Sequence, residues 1–180
     1  MNMKHIRKIN IAFTLLLFAT LVFGQDSENR SLKSFTAVRI SEGIEVVAEK
    51  GTENKVEIEA SRIDLDRILT EVNGDALSIH IESRWYRRTP RHNVRIKLTY
   101  TEELEEIKVN TGAEATFKTK LTAKRLDVNT STSGHVELEV EAEHLELSAS
   151  TSGRIDVEGS SEDIRVSAST GGTIYAYDVE

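Results

Sequence analysis

Arg84-Trp85-Tyr86-Arg87-Arg88-Thr89-Pro90-Arg91-His92 gathers the one basic cluster of the chain around its single tryptophan. Aromatic rings stack on sugar faces, and guanidinium forks pair with carboxylates. Arg84, Trp85, Tyr86, Arg87, Arg88 and Arg91 are therefore the candidate ligand-binding residues, suited to a polysaccharide or to a protein surface. The plainer use of the same stretch is a solvated connector whose tryptophan covers an end of the core.

A second group is acidic. Glu137 and Glu139 recur as Asp156 and Glu158 nineteen residues later. If the two pairs stack one rung apart, at about 5 Å, four like charges repel and either raise a pKa or recruit a cation such as Ca²⁺. Paired carboxylates at that spacing also suit a retaining glycosidase. Against both stands a solvated acidic face relieved by Lys118 and Lys120, and that is the favoured reading. His80, His92, His135 and His144 share no metal-ligand spacing, and the chain has no cysteine. No glycine cluster cradles a phosphate. The expectation is no cofactor and no catalytic residue.

The elements that must position these groups follow from a repeat. From Ile107 the chain divides into copies of nineteen: IKVNTGAEATFKTKLTAKR, LDVNTSTSGHVELEVEAEH, LELSASTSGRIDVEGSSED and IRVSASTGGTIYAYDVE. Ile107, Leu126, Leu145 and Ile164 head them, and Val109, Val128, Leu147 and Val166 form the third column. Odd positions are apolar or small and even positions polar, the period of a strand with one buried face. One such coil cannot bury its own inner face, but stacked coils can. The reading is an all-β chain with a right-handed parallel β-helix, or solenoid, of nineteen-residue coils in its C-terminal half. The ninth column is Ala115, Gly134, Gly153 and Gly172, and a glycine there is expected to turn each corner with φ > 0. A catalytic serine in STSG has no histidine or acid at a constant offset to support it. Asn110, Asn129, Ser148 and Ser167, with Ser131, Ser150 and Ser169 beside them, form a ladder of small polar residues read as the thin side of the solenoid.

The first half alternates less regularly. Val38 and Ile40, Ile44 and Val46, Val56 and Ile58, and Val94, Ile96 and Leu98 read as strands, with Asn73-Gly74-Asp75 as a turn before Leu77, Ile79 and Ile81. Arg62 to Leu69 has room for a helical turn. These are expected to be irregular, larger β-rungs that begin and cap the same solenoid.

Lys4, Arg7 and Lys8 precede an apolar run from Ile9 to Phe23 that is short for a membrane span, and Gly24 closes it. This is the pattern of a secretory signal peptide over residues 1–24, leaving a single domain over 25–180 with no membrane insertion after cleavage. The formal charge is −7, and loss of the leader takes it to about −10. An acidic surface argues against nucleic acid and anionic membranes. The fourth copy stops short of full length at Glu180. An open coil end predicts either homo-oligomer formation through it or a longer parent chain.

The succession FTAVRISEGIEVVAEKG, IDLDRILTEVNGDALSIHI and the repeated STSG and STGG coils resembles the bacterial head GIN domain family, described as a "putative autotransporter adhesin". The resemblance covers about Phe35 to Glu180. It implies a β-helical protein of Bacteroidetes-like bacteria, periplasmic, secreted or at the cell surface, with no established enzymatic activity. The resulting expectation is an adhesin-like module that binds a carbohydrate or surface partner. The alternatives are a pectinase-like polysaccharide-acting enzyme on the same scaffold, or a structural module stacking end to end.

Overall fold

The computed structural model describes residues 26–82 and 92–177. In chain order the strands are β1 (Asp26–Ser31), β2 (Ala37–Ile40), β3 (Glu45–Lys50), β4 (Lys55–Ser61), β5 (Ile68–Asn73), β6 (Ala76–Ile81) and β7 (Asn93–Tyr100). They continue as β8 (Glu106–Asn110), β9 (Glu114–Phe117), β10 (Leu121–Ser131), β11 (His135–Ala149), β12 (Arg154–Ala168) and β13 (Thr173–Tyr177). A 3-10 turn at Leu65–Arg67 fills the place where the sequence left room for a helix.

All thirteen strands join one curled, mixed sheet. The chain is all-β as expected, but the sheet is mixed, with the antiparallel pairs in the first half and at β1. β1 lies antiparallel on β4, β4 antiparallel on β7, and β5 antiparallel on β6. The remaining pairs are parallel. Alternation of apolar and polar residues fixes which face of a strand is buried, but it is the same whichever way the strand runs. The antiparallel members cap one end of the core. β5 returns along β6 through Asn73-Gly74-Asp75, with Gly74 at φ 65°. β1 is almost wholly polar, and Arg30 ties it down by donating to the carbonyls of Ile68 (2.5 Å) and Leu65 (2.9 Å).

The parallel coils show a second correction. β10 pairs with β11, β11 with β12 and β12 with β13 at an offset of nineteen, as in Leu126↔Leu145↔Ile164. The first coil is shifted by two residues: Ile107 faces Val128, and Ala115 faces Val136. The two extra residues lie in Lys118–Lys120, the break between β9 and β10. A shift of two keeps every side chain on its own face, so periodicity cannot reveal it. It also places Asn110 beside Ser131 rather than Asn129, and Ser131 Oγ donates to Asn110 Oδ1 at 2.7 Å.

The corners are turned by residues other than those expected. Amide-to-carbonyl bonds close four-residue turns at Asn110–Ala113, Ser131–Gly134, Ser150–Gly153 and Ser169–Gly172, at 2.8–3.1 Å. Their central pairs are left-handed: Thr111 and Gly112 (φ 52° and 70°), Thr132 and Ser133 (48°, 62°), Thr151 and Ser152 (47°, 63°), and Thr170 and Gly171 (47°, 76°). These are type I′ turns. Gly134, Gly153 and Gly172 lie outside the left-handed region, and the need for glycine there is close approach. A Cβ on Gly134 would sit 2.0 Å from the Val109 carbonyl oxygen, and one on Gly172 2.2 Å from that of Ala149.

The corners stack. The amides of Gly43, Gly112, Ser133 and Ser152 each donate to the carbonyl of a neighbouring corner, Thr111, Thr132, Thr151 and Thr170, at 2.9–3.2 Å. A threonine or serine at φ > 0 is strained, and only this ladder and the packed coils hold it there. Ser152→Gly relieves that strain at the place where two other corners already have Gly112 and Gly171. It is expected to raise stability by about 0.5–1 kcal/mol, or roughly 1–4 °C in Tm. Ser148→Gly, in the β11 strand, is expected to lower it. Thermal melts of the two variants beside the parent check both signs.

Inside the curl, Ile40, Ile58, Leu77, Ile79, Ile96, Leu98, Val109, Val128 and Leu147 form one continuous buried cluster. Tyr100 packs edge-on against Phe117 within it, with ring centroids 6.4 Å apart. The cover fades at the last coil, where Ile164 and Val166 on the inward face are 40% and 55% exposed.

Candidate functional site

Arg84, Trp85, Tyr86, Arg87, Arg88 and Arg91 lie outside the described residues, as does the stretch over residues 1–24 expected to be a signal peptide. The residues that bracket the basic segment are described, and they meet at one point. Glu42 opens the first corner in the left-handed region (φ 66°), beside Gly43 (φ 70°). Its carboxylate accepts the Ile81 amide at 2.6 Å, and His92 Nε2 lies 3.1 Å from its carbonyl oxygen. The described residues on either side of the segment, Ile81 and His92, are therefore both held at the start of the corner ladder. The sequence did not mark Glu42, since a glutamate before a glycine reads as an ordinary turn.

The acidic columns are in the register expected from the repeat: Glu137↔Asp156 and Glu139↔Glu158. They do not form a bare carboxylate pair. Asp156 accepts Arg154 Nε at 2.6 Å and Nη2 at 2.8 Å, and His135 Nε2 stands 2.7 Å from it. Lys120 bridges Glu141 at 2.8 Å and Glu139 at 4.0 Å. Among the described residues, no group of three or more histidine or acidic side chains is arranged to hold a metal ion. His144 stands 3.5 Å from Asp163, away from His135.

Hydrogen bonds from Arg154, with His135 assisting, hold the Asp156 carboxyl below the usual aspartate range. A carboxylate whose pKa is lower folded than unfolded adds stability above its unfolded pKa. That stability is lost as the pH falls through the folded value. Asp156→Asn is therefore expected to lower Tm at pH 7 and to bring the melting temperatures of variant and parent together at pH 2–3. Melts across pH 2–7 check this; a gap that stays constant would assign the loss to packing instead.

Two shallow grooves cross the outer surface. One, of about 590 Å³, follows the bend of the coils, with Ala123, Ala142 and Ser161 at its base and Glu103, Glu141 and Glu162 on its rim. The other, of about 470 Å³, runs over β9, β11 and β12 to the end of β13, and joins Lys118, His135, Glu139, Asp156, Glu158 and Tyr177. The acidic columns end there in Tyr175, opposite Asp156, and Tyr177, opposite Glu158. Sequence reasoning missed these tyrosines. The signal was present, in that the last copy reads YAY where earlier copies read ELE and DVE.

A family described as "Putative auto-transporter adhesin, head GIN domain" matches residues 34–180. A putative adhesin of Parabacteroides distasonis shares the fold at 18% identity and a TM-score of 0.61, over 87% of this chain and 74% of that one. One from Parabacteroides merdae is 11% identical, with a TM-score of 0.59 over 85% and 96% of the two chains. One from Bacteroides fragilis is 14% identical, with a TM-score of 0.56 over 86% and 97%. Identities this low show a shared fold. No curated protein is similar enough to count as a match. Among the described residues no helix is long and apolar enough to cross a membrane.

Proposed function

This chain belongs to the family described as "Putative auto-transporter adhesin, head GIN domain", and on that premise we propose that it is a non-catalytic binding module of the cell exterior or envelope. Its partner is a polysaccharide or a surface protein, and its contact segment is Arg84, Trp85, Tyr86, Arg87, Arg88 and Arg91. The observation that carries this reading is the double attachment of the segment's flanks to Glu42, through the Ile81 amide and His92. A binding loop tied at both flanks to a rigid corner loses less freedom when it engages a ligand.

On the same reading, residues 1–24 are a signal peptide and 25–180 one domain, whose parallel coils are a right-handed solenoid. A polysaccharide-cleaving enzyme needs reacting groups converging in a cleft. Of the carboxylates the repeat brings together, Asp156 is engaged by Arg154 and His135, and Glu139 lies 4.0 Å from Lys120, which favours binding over cleavage. The exposed Ile164 and Val166 suit cover by a second copy or by further chain.

The test is binding of the purified chain to an array of bacterial and host glycans and to envelope proteins. Specific binding lost in Trp85→Ala, with the melting temperature unchanged, is the expected result. Binding that survives Trp85→Ala together with Arg87→Ala and Arg88→Ala would remove the segment from the site.

A further inference from the structure

We propose that the outer face of β11, β12 and β13 is a second glycan platform, built on Tyr175, Tyr177 and Arg154 and selective for neutral or amino-bearing sugars. This rests on the reading of the chain as a binding module, and places a sugar site on residues other than the Arg84–Arg91 segment. Among the described residues four large apolar side chains are exposed: Ile164, Val166, Tyr175 and Tyr177. Ile164 and Val166 belong to the inward columns of the last coil. Tyr175 and Tyr177 do not. They pair with Asp156 and Glu158, whose neighbours Ile155 and Val157 are the buried ones, so both tyrosines stand on the outer face.

The two rings are stacked beside one another. Their planes are 5° apart and their centroids 6.0 Å. The Arg154 guanidinium lies 4.7 Å from the Tyr175 centroid, and the Asp156 carboxylate takes two of its hydrogen bonds. His135 holds Asp156 from the next strand at 2.7 Å. The row His135, Asp156, Arg154, Tyr175, Tyr177 is thus fixed before any ligand arrives, which lowers the entropy lost on binding. An exposed aromatic ring offers its face to the C–H side of a pyranose, and charged hydrogen-bonding groups beside it take the hydroxyls. The adjoining groove supplies Glu137, Glu139 and Glu158 against Lys118. That balance of charge repels uronates and sulfated sugars and tolerates or attracts an amino group.

The test titrates the full chain with chitosan hexamer, N-acetylglucosamine hexamer and polygalacturonate by calorimetry. The expected result is saturable binding of one or both hexamers, weakened about tenfold or more by Tyr177→Ala and much less by Tyr177→Phe. Thermal melts of these exposed-site variants should match the parent. Hexamer binding that is unchanged in both Tyr175→Ala and Tyr177→Ala overturns the platform. Polygalacturonate binding more tightly than either hexamer also overturns it. Loss of hexamer binding in Trp85→Ala, with both tyrosine variants unaffected, leaves the general binding reading standing and removes this site alone. If neither hexamer binds the parent chain, the platform fails whatever the wider array shows.

Discussion

Gly134→Ala is expected to lower Tm by roughly 6–12 °C, equivalent to about 3 kcal/mol. The added Cβ would stand 2.0 Å from the Val109 carbonyl oxygen and 2.6 Å from its carbon. Both belong to the backbone of a strand held in the sheet, so neither can swing aside as a flexible side chain would. The first coil makes the comparison informative. There Ala113 closes the corresponding turn and is fully buried. Ala113→Gly removes a single methyl group and adds backbone freedom, and should lower stability by only about 1 kcal/mol. Calorimetric melts of the two variants separate the explanations for this column. If glycine served only to supply a left-handed backbone, Gly134→Ala and Gly153→Ala would be strained by conformation alone, and Gly134→Asn would be tolerated. If close approach is the cause, asparagine is worse than alanine.

Leu147→Ala and Val166→Ala should differ widely although the two residues share a column. Leu147 is fully buried in β11, and Val166, directly opposite it in β12, is 55% exposed. Removing the leucine leaves a cavity in a packed core, at about 3 kcal/mol and again roughly 6–12 °C. Truncating the valine should change stability by less than about 0.5 kcal/mol. Equal losses at the two positions would show that Val166 is covered in solution. Mass measured against concentration would then show whether a second copy supplies the cover.

The difference between these two residues marks what the repeat could and could not convey. Alternation identified the strands of β2, β4, β7 and β10 to β13 and the side of each that is buried, because burial selects residue type directly. Strand direction leaves no such mark, so β4 reads as one more rung of the solenoid although it runs antiparallel to β7, and the all-polar β1 carries no alternation to mark it as a strand at all. The two-residue shift at Lys118–Lys120 preserves alternation and stayed hidden for the same reason. Glycine in the ninth column invited a conformational explanation, while the left-handed work is done by Thr132, Ser133, Thr151 and Ser152, residues rarely found there. At the surface, the repeat placed Glu137 beside Asp156 correctly. It could not show that Arg154, two residues away, and His135, on the neighbouring strand, would close on Asp156. Glu42 was illegible because its role needs Ile81 and His92, which only the folded chain brings to it.

The central proposal is that this domain holds a polysaccharide or a surface protein without cutting it. Equilibrium dialysis of the purified chain against a labelled glycan selected on the array, followed by mass spectrometry of the recovered ligand, tests that claim most directly. The account predicts saturable retention on the protein side and recovery of the glycan at its original mass. Shortened or unsaturated fragments in the recovered ligand, or no retention of any glycan together with no binding to any envelope protein, would contradict it.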